Sequence, residues 1–198
     1  MSDKDVISDA LEEFKLSEEA ESENRINFAD DVRFARLGEQ WPEAVKKQRE
    51  LDGRPCLTIN RLPAMLRQVL NDARQNKPQI KVNPVGDDGD KTTAAVLSGL
   101  IKNIEYTSQA DIAYDTALDN AVTGGFGYFR ITTDYANDDV FDQDICIERI
   151  IDPLSVYGDE RSTSADSSDW TKAFITQLYK DSEFEKRWKG AEKSSWQD

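Results

Sequence analysis

Pro63 and Pro78 set the architecture of the stretch from Gln40 to Pro84, QWPEAVKKQRELDGRPCLTINRLPAMLRQVLNDARQNKPQIKVNPV. A proline lacks the backbone N–H and fixes its own φ, so it is tolerated in the first turn of a helix and stops one elsewhere. Asn60 stands where a helix cap accepts from the first free N–H groups, Pro63 falls in the first turn, and Pro78 closes the segment. Ile59, Leu62, Leu66, Val69 and Ala73 recur at three- and four-residue steps, the spacing of one buried face; Arg61, Arg67, Gln68, Arg74 and Gln75 occupy the other. Beyond Pro78, Ile80 and Val82 alternate with Lys81 and Asn83, as in a half-buried strand.

The remaining chain predicts an α+β fold: N-terminal helices and a helical hairpin, then a small antiparallel sheet and a last helix. Residues 3–37 read as helical, with Ile7, Leu11 and Phe14 on one stripe and Phe28, Val32 and Ala35 on another. Ser17 to Asn24 between them reads as a solvated, bent helix face, or as part of an arm packing on a neighbouring subunit. Gly38 to Pro55 reads as a turn-rich connector holding Trp41-Pro42 and the basic residues Lys46, Lys47, Arg49 and Arg54, interleaved with Glu43, Glu50 and Asp52. It suits a solvated loop or subunit contact better than a nucleic-acid contact. After a turn over NPVGDDGD, Asp90 or Thr92 caps a helix with Leu97, Leu100, Ile101 and Ile104 inward. Ser108 and Asp111 have capping-box spacing, and Ala110, Ala113, Ala117 and Ala121 form a small-residue spine that admits a second helix.

In TGGFGYFRITTDY a helix precedes the glycines and a strand follows them. Phosphate loops run the opposite way, strand to glycine to helix, so Gly124, Gly125 and Gly127 read as a helix stop and a tight entry to a strand. Tyr128–Asp134 and Asp144–Ile151 form a hairpin, Lys172–Leu178 offers a third strand, and Asp181 or Ser182 caps a last helix carrying Phe184 and Trp188 one turn apart.

Chemistry is constrained by what is missing. There is no histidine, which excludes Ser-His-Asp and Cys-His catalysis and leaves carboxylate or lysine mechanisms. Cys56 and Cys146 have no paired spacing, so packed thiols are expected rather than a disulfide or zinc site. A net charge of −14 opposes phosphate neutralisation, the main source of nucleic-acid affinity. No apolar run reaches the roughly 20 residues of a membrane span, and the acidic N-terminus is unlike a secretory leader; the reading is cytoplasmic. Asp159, Asp166 and Asp169, in GDERSTSADSSDW, are weak candidates for a divalent cation, without EF-hand spacing; ordinary Asx and Ser turns fit the loop better. Asp134, Asp138, Asp139, Asp142 and Asp144 raise a metal-dependent nuclease or hydrolase as an alternative, and the 159–169 loop an acidic cation-binding adaptor, though a base and a cationic route to phosphate are lacking. No cofactor is expected.

The Gln40–Pro84 run, LIKNIEYTSQADIAYDTALDNAVTGGFGYFRITTDY, FDQDICIERIIDPLSVYGD and SDWTKAFITQLYKDSEF, in this order, resemble the N-terminal region of podovirus-type bacteriophage portal proteins, over roughly Asn27 to Trp188. The resemblance implies a structural, non-enzymatic subunit of a dodecameric ring at one capsid vertex, assembled in the host cytoplasm and carried in the virion. Double-stranded DNA passes through such a ring without sequence-specific binding, driven by a separate terminase; scaffold, capsid and tail or adaptor proteins are the other partners. It further implies an arm over 1–37, a wing-type α+β domain over 38–189 and a polar tail over 190–198, with the stem, clip and crown of the family beyond a truncated end. Trp41, Pro42, Arg54 and Pro55 are then expected to fix the connector, Arg61 and Arg74 to offer polar contacts, and Gly124, Gly125 and Gly127 to fix the helix-to-strand turn. A wall of negative charge agrees with a conduit that must not hold its cargo.

Overall fold

A computed structural model describes residues 3–86, 89–137, 139–164 and 166–191. It is an α+β arrangement of helices and two small antiparallel sheets, as the sequence predicts. The chain divides into two compact units, Glu18–Leu154 and a second made of Met1–Ser17 with Ser155–Asp198; one continuous helix, α1 (Asp3–Val32), contributes residues to both.

In the 18–154 unit, α1 runs into a short π-helical turn, Arg33–Leu37, closed by Gly38 in the left-handed region at φ +71°. The basic connector is itself a helix, α2 (Glu43–Leu51). Its dense charge hid a helical register that buries nothing, and Gly53 follows it at positive φ. Helix α3 (Leu62–Gln75) starts as expected: Asn60 Oδ1 accepts from the Leu62 N–H at 3.2 Å, although Arg61 is the residue at the cap position. Its inner face is Leu62, Leu66, Leu70 and Ala73, with Leu70 buried, while Val69 and Ile59 are 52% and 79% exposed. After Leu66, steps of three and of four are both helical, and the sequence alone favoured the wrong one.

Residues 79–83 make no strand. They run beside α4 (Lys91–Thr107), where the Val82 N–H donates to Ser98 Oγ at 3.1 Å, and alternation without a partner strand leaves no ladder. Asp90 caps α4 through both oxygens, accepting from the Thr92 and Thr93 N–H groups at 2.8 and 3.1 Å. The inner face of α4 holds Ala94, Ser98, Ile101 and Ile104; Leu97 and Leu100 point outward because close packing selects the small side chains. Ser108 ends α4 rather than opening a capping box. The turn to α5 (Ala110–Gly124) is so short that Gln109 adopts φ +51° at its cap.

Ala110, Ala113 and Ala117 of the alanine spine are buried, and Ala121 is half-buried. The spine's main load, however, is the strand β2 (Gln143–Arg149): Ile147 packs on Ala110 and Ala113, with Ile104 and Tyr114 at the edge. Strand β1 (Phe129–Tyr135) pairs with β2 from Phe129↔Arg149 to Tyr135↔Gln143. Phe28 closes the other end of α5, its ring 4.7 Å from that of Phe126.

In the unit of 1–17 and 155–198, β3 (Val156–Tyr157) pairs antiparallel with β4 (Phe174–Ile175). The predicted third strand is therefore two residues long and forms its own sheet instead of joining the hairpin. Phe14 meets Tyr157 and Phe174 edge-on at 4.8 and 5.5 Å. Helix α6 (Asp181–Arg187) has Lys180 at its cap, with Asp181 in the first turn; Phe184 and Trp188 lie 5.1 Å apart. Among the described residues no helix is long and apolar enough to cross a membrane. Both cysteines are free and half-buried. Asp87 and Asp88 of the predicted turn, Asp138 and residues 192–198 of the tail lie outside the described residues.

Candidate functional site

The junction between α5 and β1 is tightly constrained. Gly125 ends α5 at φ +97°, its N–H donating to the Ala121 carbonyl at 2.9 Å. A Cβ at Gly125 would meet open space, so its constraint is conformational. At Gly124 a Cβ would strike the Phe28 ring, and at Gly127 it would enter the backbone carbonyl of Ala117. Three glycines thus serve three separate needs: a left-handed turn, an aromatic lid and a backbone-to-backbone approach. Gly125→Val should cost about 1–2 kcal/mol, the penalty for a β-branched residue at positive φ, measured as a lowered denaturation midpoint. An unchanged midpoint would show that the turn does not need that conformation.

Beside it, α5 carries Asp111, Asp115 and Asp119 at four-residue steps, one above the other on a single face. Each meets a cation from another segment: Lys77 Nζ at 2.9 Å from Asp111, Arg74 Nε at 3.0 Å from Asp115, and an Arg36 guanidinium nitrogen at 2.7 Å from Asp119. All are partly exposed, so each contributes about 0.2–1 kcal/mol and mainly fixes alignment. The repeat of aspartates in ADIAYDTALDNA is the signal in the sequence for this ladder, which takes in Arg74, expected to make a polar contact, and Asp111, expected in a capping box. Arg61 is exposed and has no side-chain partner among the described residues.

In the connector, Arg49 makes the side-chain contacts. Its guanidinium lies 4.9 Å from the Trp41 ring centre and donates to the Pro55 carbonyl at 3.0 Å, while Trp41 Nε1 donates to the Leu57 carbonyl at 3.3 Å. Pro42 supplies the carbonyl that receives the Lys46 N–H at 2.9 Å. Arg54 contributes its backbone N–H, to the Arg49 carbonyl at 2.8 Å. Asn60 ties the start of α3 back to the π-turn, donating to the Ala35 carbonyl at 2.7 Å and accepting from Gln40 at 3.1 Å.

In the other unit, the loop over 158–171 is closed by its own aspartates. Asp159 accepts from the Thr171 hydroxyl and from the Arg161 and Thr171 N–H groups, both at 3.0 Å, and Trp170 covers Gly158. Asp169 accepts from the Thr163 and Ser164 N–H groups at 2.6 and 3.1 Å and from Ser162 Oγ at 2.8 Å. Asp166 takes the Ser168 hydroxyl and N–H at 2.7 and 3.2 Å. The Thr171 hydroxyl holds Asp159 down to about 2, and the Thr163 N–H does the same for Asp169, against an ordinary 3.8. Lys172 joins Glu160 at 3.0 Å beside the fully buried Ser17, which donates to the same carboxylate at 3.5 Å.

A depressed carboxylate stabilises the fold above its unfolded value and loses that contribution as pH falls through the folded value. The clasp should therefore hold above about pH 4 and open progressively as pH falls from 3.8 towards about 2. Limited proteolysis across that range should show new cleavage between residues 158 and 171. Asp169→Asn should allow that cleavage at neutral pH.

These carboxylates spend their lone pairs on the loop's own donors. On the hairpin, Asp134 stands opposite Asp144 in the register, and Asp134 accepts from the Tyr135 N–H at 2.9 Å. Among the described residues no three acidic or cysteine side chains converge in a manner suited to a metal ion. A cleft of about 640 Å³ in the 18–154 unit is lined by Pro78, Ile80, Tyr114, Leu118 and Phe129 together with the charged residues Lys77, Lys102, Glu105, Asp111 and Asp115.

The sequence model of the phage P22-like portal protein family matches residues 11–198. A portal protein of Acyrthosiphon pisum secondary endosymbiont phage 1 is 35% identical over 152 residues, covering 72% of this chain and 21% of that protein. The chain thus spans about a fifth of the length of the curated relative it matches. A match over nearly the whole sequence, on a scaffold built from close backbone contacts and paired charges, makes the chain a member of the phage P22-like portal protein family.

Proposed function

We propose that this chain is part of a structural subunit of a phage portal ring, through which double-stranded DNA enters the capsid and later leaves it. The family match over residues 11–198 carries the reading. On this reading the subunits close into a dodecamer at one capsid vertex, dock terminase during packaging and tail or adaptor proteins afterwards, and contact scaffold and capsid proteins. Assembly takes place in the host cytoplasm, and the protein ends in the virion. Residues 1–37 act as an arm, 38–189 as the wing and 190–198 as a polar tail. Trp41, Pro42, Arg54, Pro55, Arg61, Arg74, Gly124, Gly125 and Gly127 serve shape and contact, and turnover of ATP is left to the terminase.

Charge supports a conduit. At −14 per chain, a ring of copies repels phosphate instead of exchanging counterions with it. The test is to express the protein from its gene and image it by negative-stain electron microscopy. Closed rings with a central channel are expected; a product that never closes would overturn the reading. Incubation with magnesium or manganese and duplex DNA should leave the DNA intact, and cleavage abolished by Asp134→Asn would favour the hydrolase instead.

A further inference from the structure

Three lysines border one groove of the 18–154 unit. It runs between α4 and residues 79–84, with a volume of about 480 Å³, and takes Lys81 from the second wall and Lys91 and Lys102 from the helix. No acidic side chain lines it. Along α4, Lys91, Ala95, Ser98 and Lys102 follow at steps of four, three and four, so the two lysines stand at the ends of one face with small residues between them. Gly99 borders the same groove, and a Cβ built there would meet nothing within 4 Å. Lysine ion pairs among the described residues use Lys47, Lys77 and Lys172, which leaves the three groove lysines exposed and unpaired. Asp90, beside Lys91, gives its oxygens to the Thr92 and Thr93 N–H groups. The hairpin tip of the same unit has the opposite character. From Asp134 to Asp144 the sequence holds five aspartates and no Lys or Arg. The Ala136 N–H closes the turn on the Asp142 carbonyl at 2.9 Å, and Phe141, between the exposed Asp139 and Asp142, is itself 94% exposed. A phenylalanine held so far out is seated in no groove of its own chain.

We propose that the Phe141 tip of one copy of the chain seats in the lysine-lined groove of a second copy, with Asp139 and Asp142 among Lys81, Lys91 and Lys102. The proposal rests on the ring reading and adds which two surfaces meet. Shape and charge select this occupant together. The Phe141 ring gains burial over the small residues Ala95 and Gly99 that a phosphate backbone does not offer, and the carboxylates on either side of it reach cations that have no partner in their own chain. Tip and groove are different patches, so the contact is heterologous; it propagates head to tail and closes into a ring or runs on as a filament.

One neutral truncation and a charge swap test the contact. Sedimentation velocity of the 198-residue chain at low salt should show reversible association that weakens as salt rises. Phe141→Ala, which leaves every charge in place, should weaken it about tenfold or more, with unchanged circular dichroism. Asp139→Lys with Asp142→Lys, and separately Lys81→Glu with Lys102→Glu, should each weaken it to a similar degree. An equimolar mixture of these two reversed proteins should associate again, because the basic tip now meets an acidic groove. Association indifferent to Phe141→Ala or to either reversal, a mixture that stays apart, or a wild-type chain that sediments as a monomer at every concentration would overturn the proposal. So would salt-sensitive binding of duplex DNA abolished by the lysine reversal, which would make nucleic acid the occupant. Rings formed by the protein expressed from its gene with Phe141→Ala and the lysine reversal together would sink this contact while leaving the portal reading intact.

Discussion

Replacing Gly127 by alanine is expected to cost about 3 kcal/mol, the upper end of what a forced methyl costs in a packed site. The added carbon would enter the Ala117 carbonyl, which belongs to the backbone of α5 and cannot swing aside as a side chain does. Either α5 or the start of β1 must move, and both pack around Ile147 and Tyr114. For a chain of this size the loss corresponds to a melting temperature about 6–12 °C lower. Gly99→Ala is the matched control. It lies inside α4 with nothing within 4 Å of an added Cβ, so the substitution should stabilise by about 0.5–1 kcal/mol through helix propensity. If Gly127→Ala behaves like Gly99→Ala, the close approach of β1 to α5 is wrong.

The second large effect is at the alanine spine. Ala113 is 2% exposed and packs against Ala110 and Ile147. Ala113→Asp buries a carboxylate with no partner provided for it and should destabilise by about 3–5 kcal/mol at neutral pH. Ala113→Asn adds nearly the same volume without the charge and separates overpacking from ionisation. Burial raises the carboxyl's folded value above its unfolded one, so the ionic part of the penalty is absent below about pH 4 and grows as pH rises. Urea unfolding of the two variants at about pH 4 and pH 7 should therefore converge in acid and separate at neutrality. Curves that stay parallel would show that the site is open to water.

Much of this scaffold was legible because local rules and packing agreed. Asp90 at the head of α4, Gly125 at the end of α5, the hairpin and the buried alanines follow from capping, positive φ and alternation. Readings failed where a pattern fits two geometries or where burial selects size over hydropathy. Val69 and Leu70 are both one turn from Leu66, and only the neighbours of α3 choose between them. Ala94 and Ser98 face inward on α4 while Leu97 and Leu100 face out, which hydrophobicity alone cannot foresee. Ile80 and Val82 alternate like a strand, yet no partner strand exists beside them among the described residues. In the sequence Arg49 is one basic residue among four, because its stacking on Trp41 and bonding to Pro55 depend on a turn of α2 hidden in a charged run. In the 158–171 loop the turn chemistry was visible in the Asp and Ser content, but not which donor each carboxylate would take.

The ion-pair ladder on α5 has a consequence for alignment. Lys77, two residues past the end of α3, meets Asp111 and Arg74 meets Asp115, so α3 and α5 run in opposite directions with the α5 rungs one helical turn apart. A repeating row of rungs is ambiguous: shifted by one turn, Lys77 would find Asp115 and Arg74 would find Asp119. Arg36 already occupies Asp119 at 2.7 Å from the π-helical turn ahead of α2, so it acts as a stop that removes the displaced alignment from the alternatives.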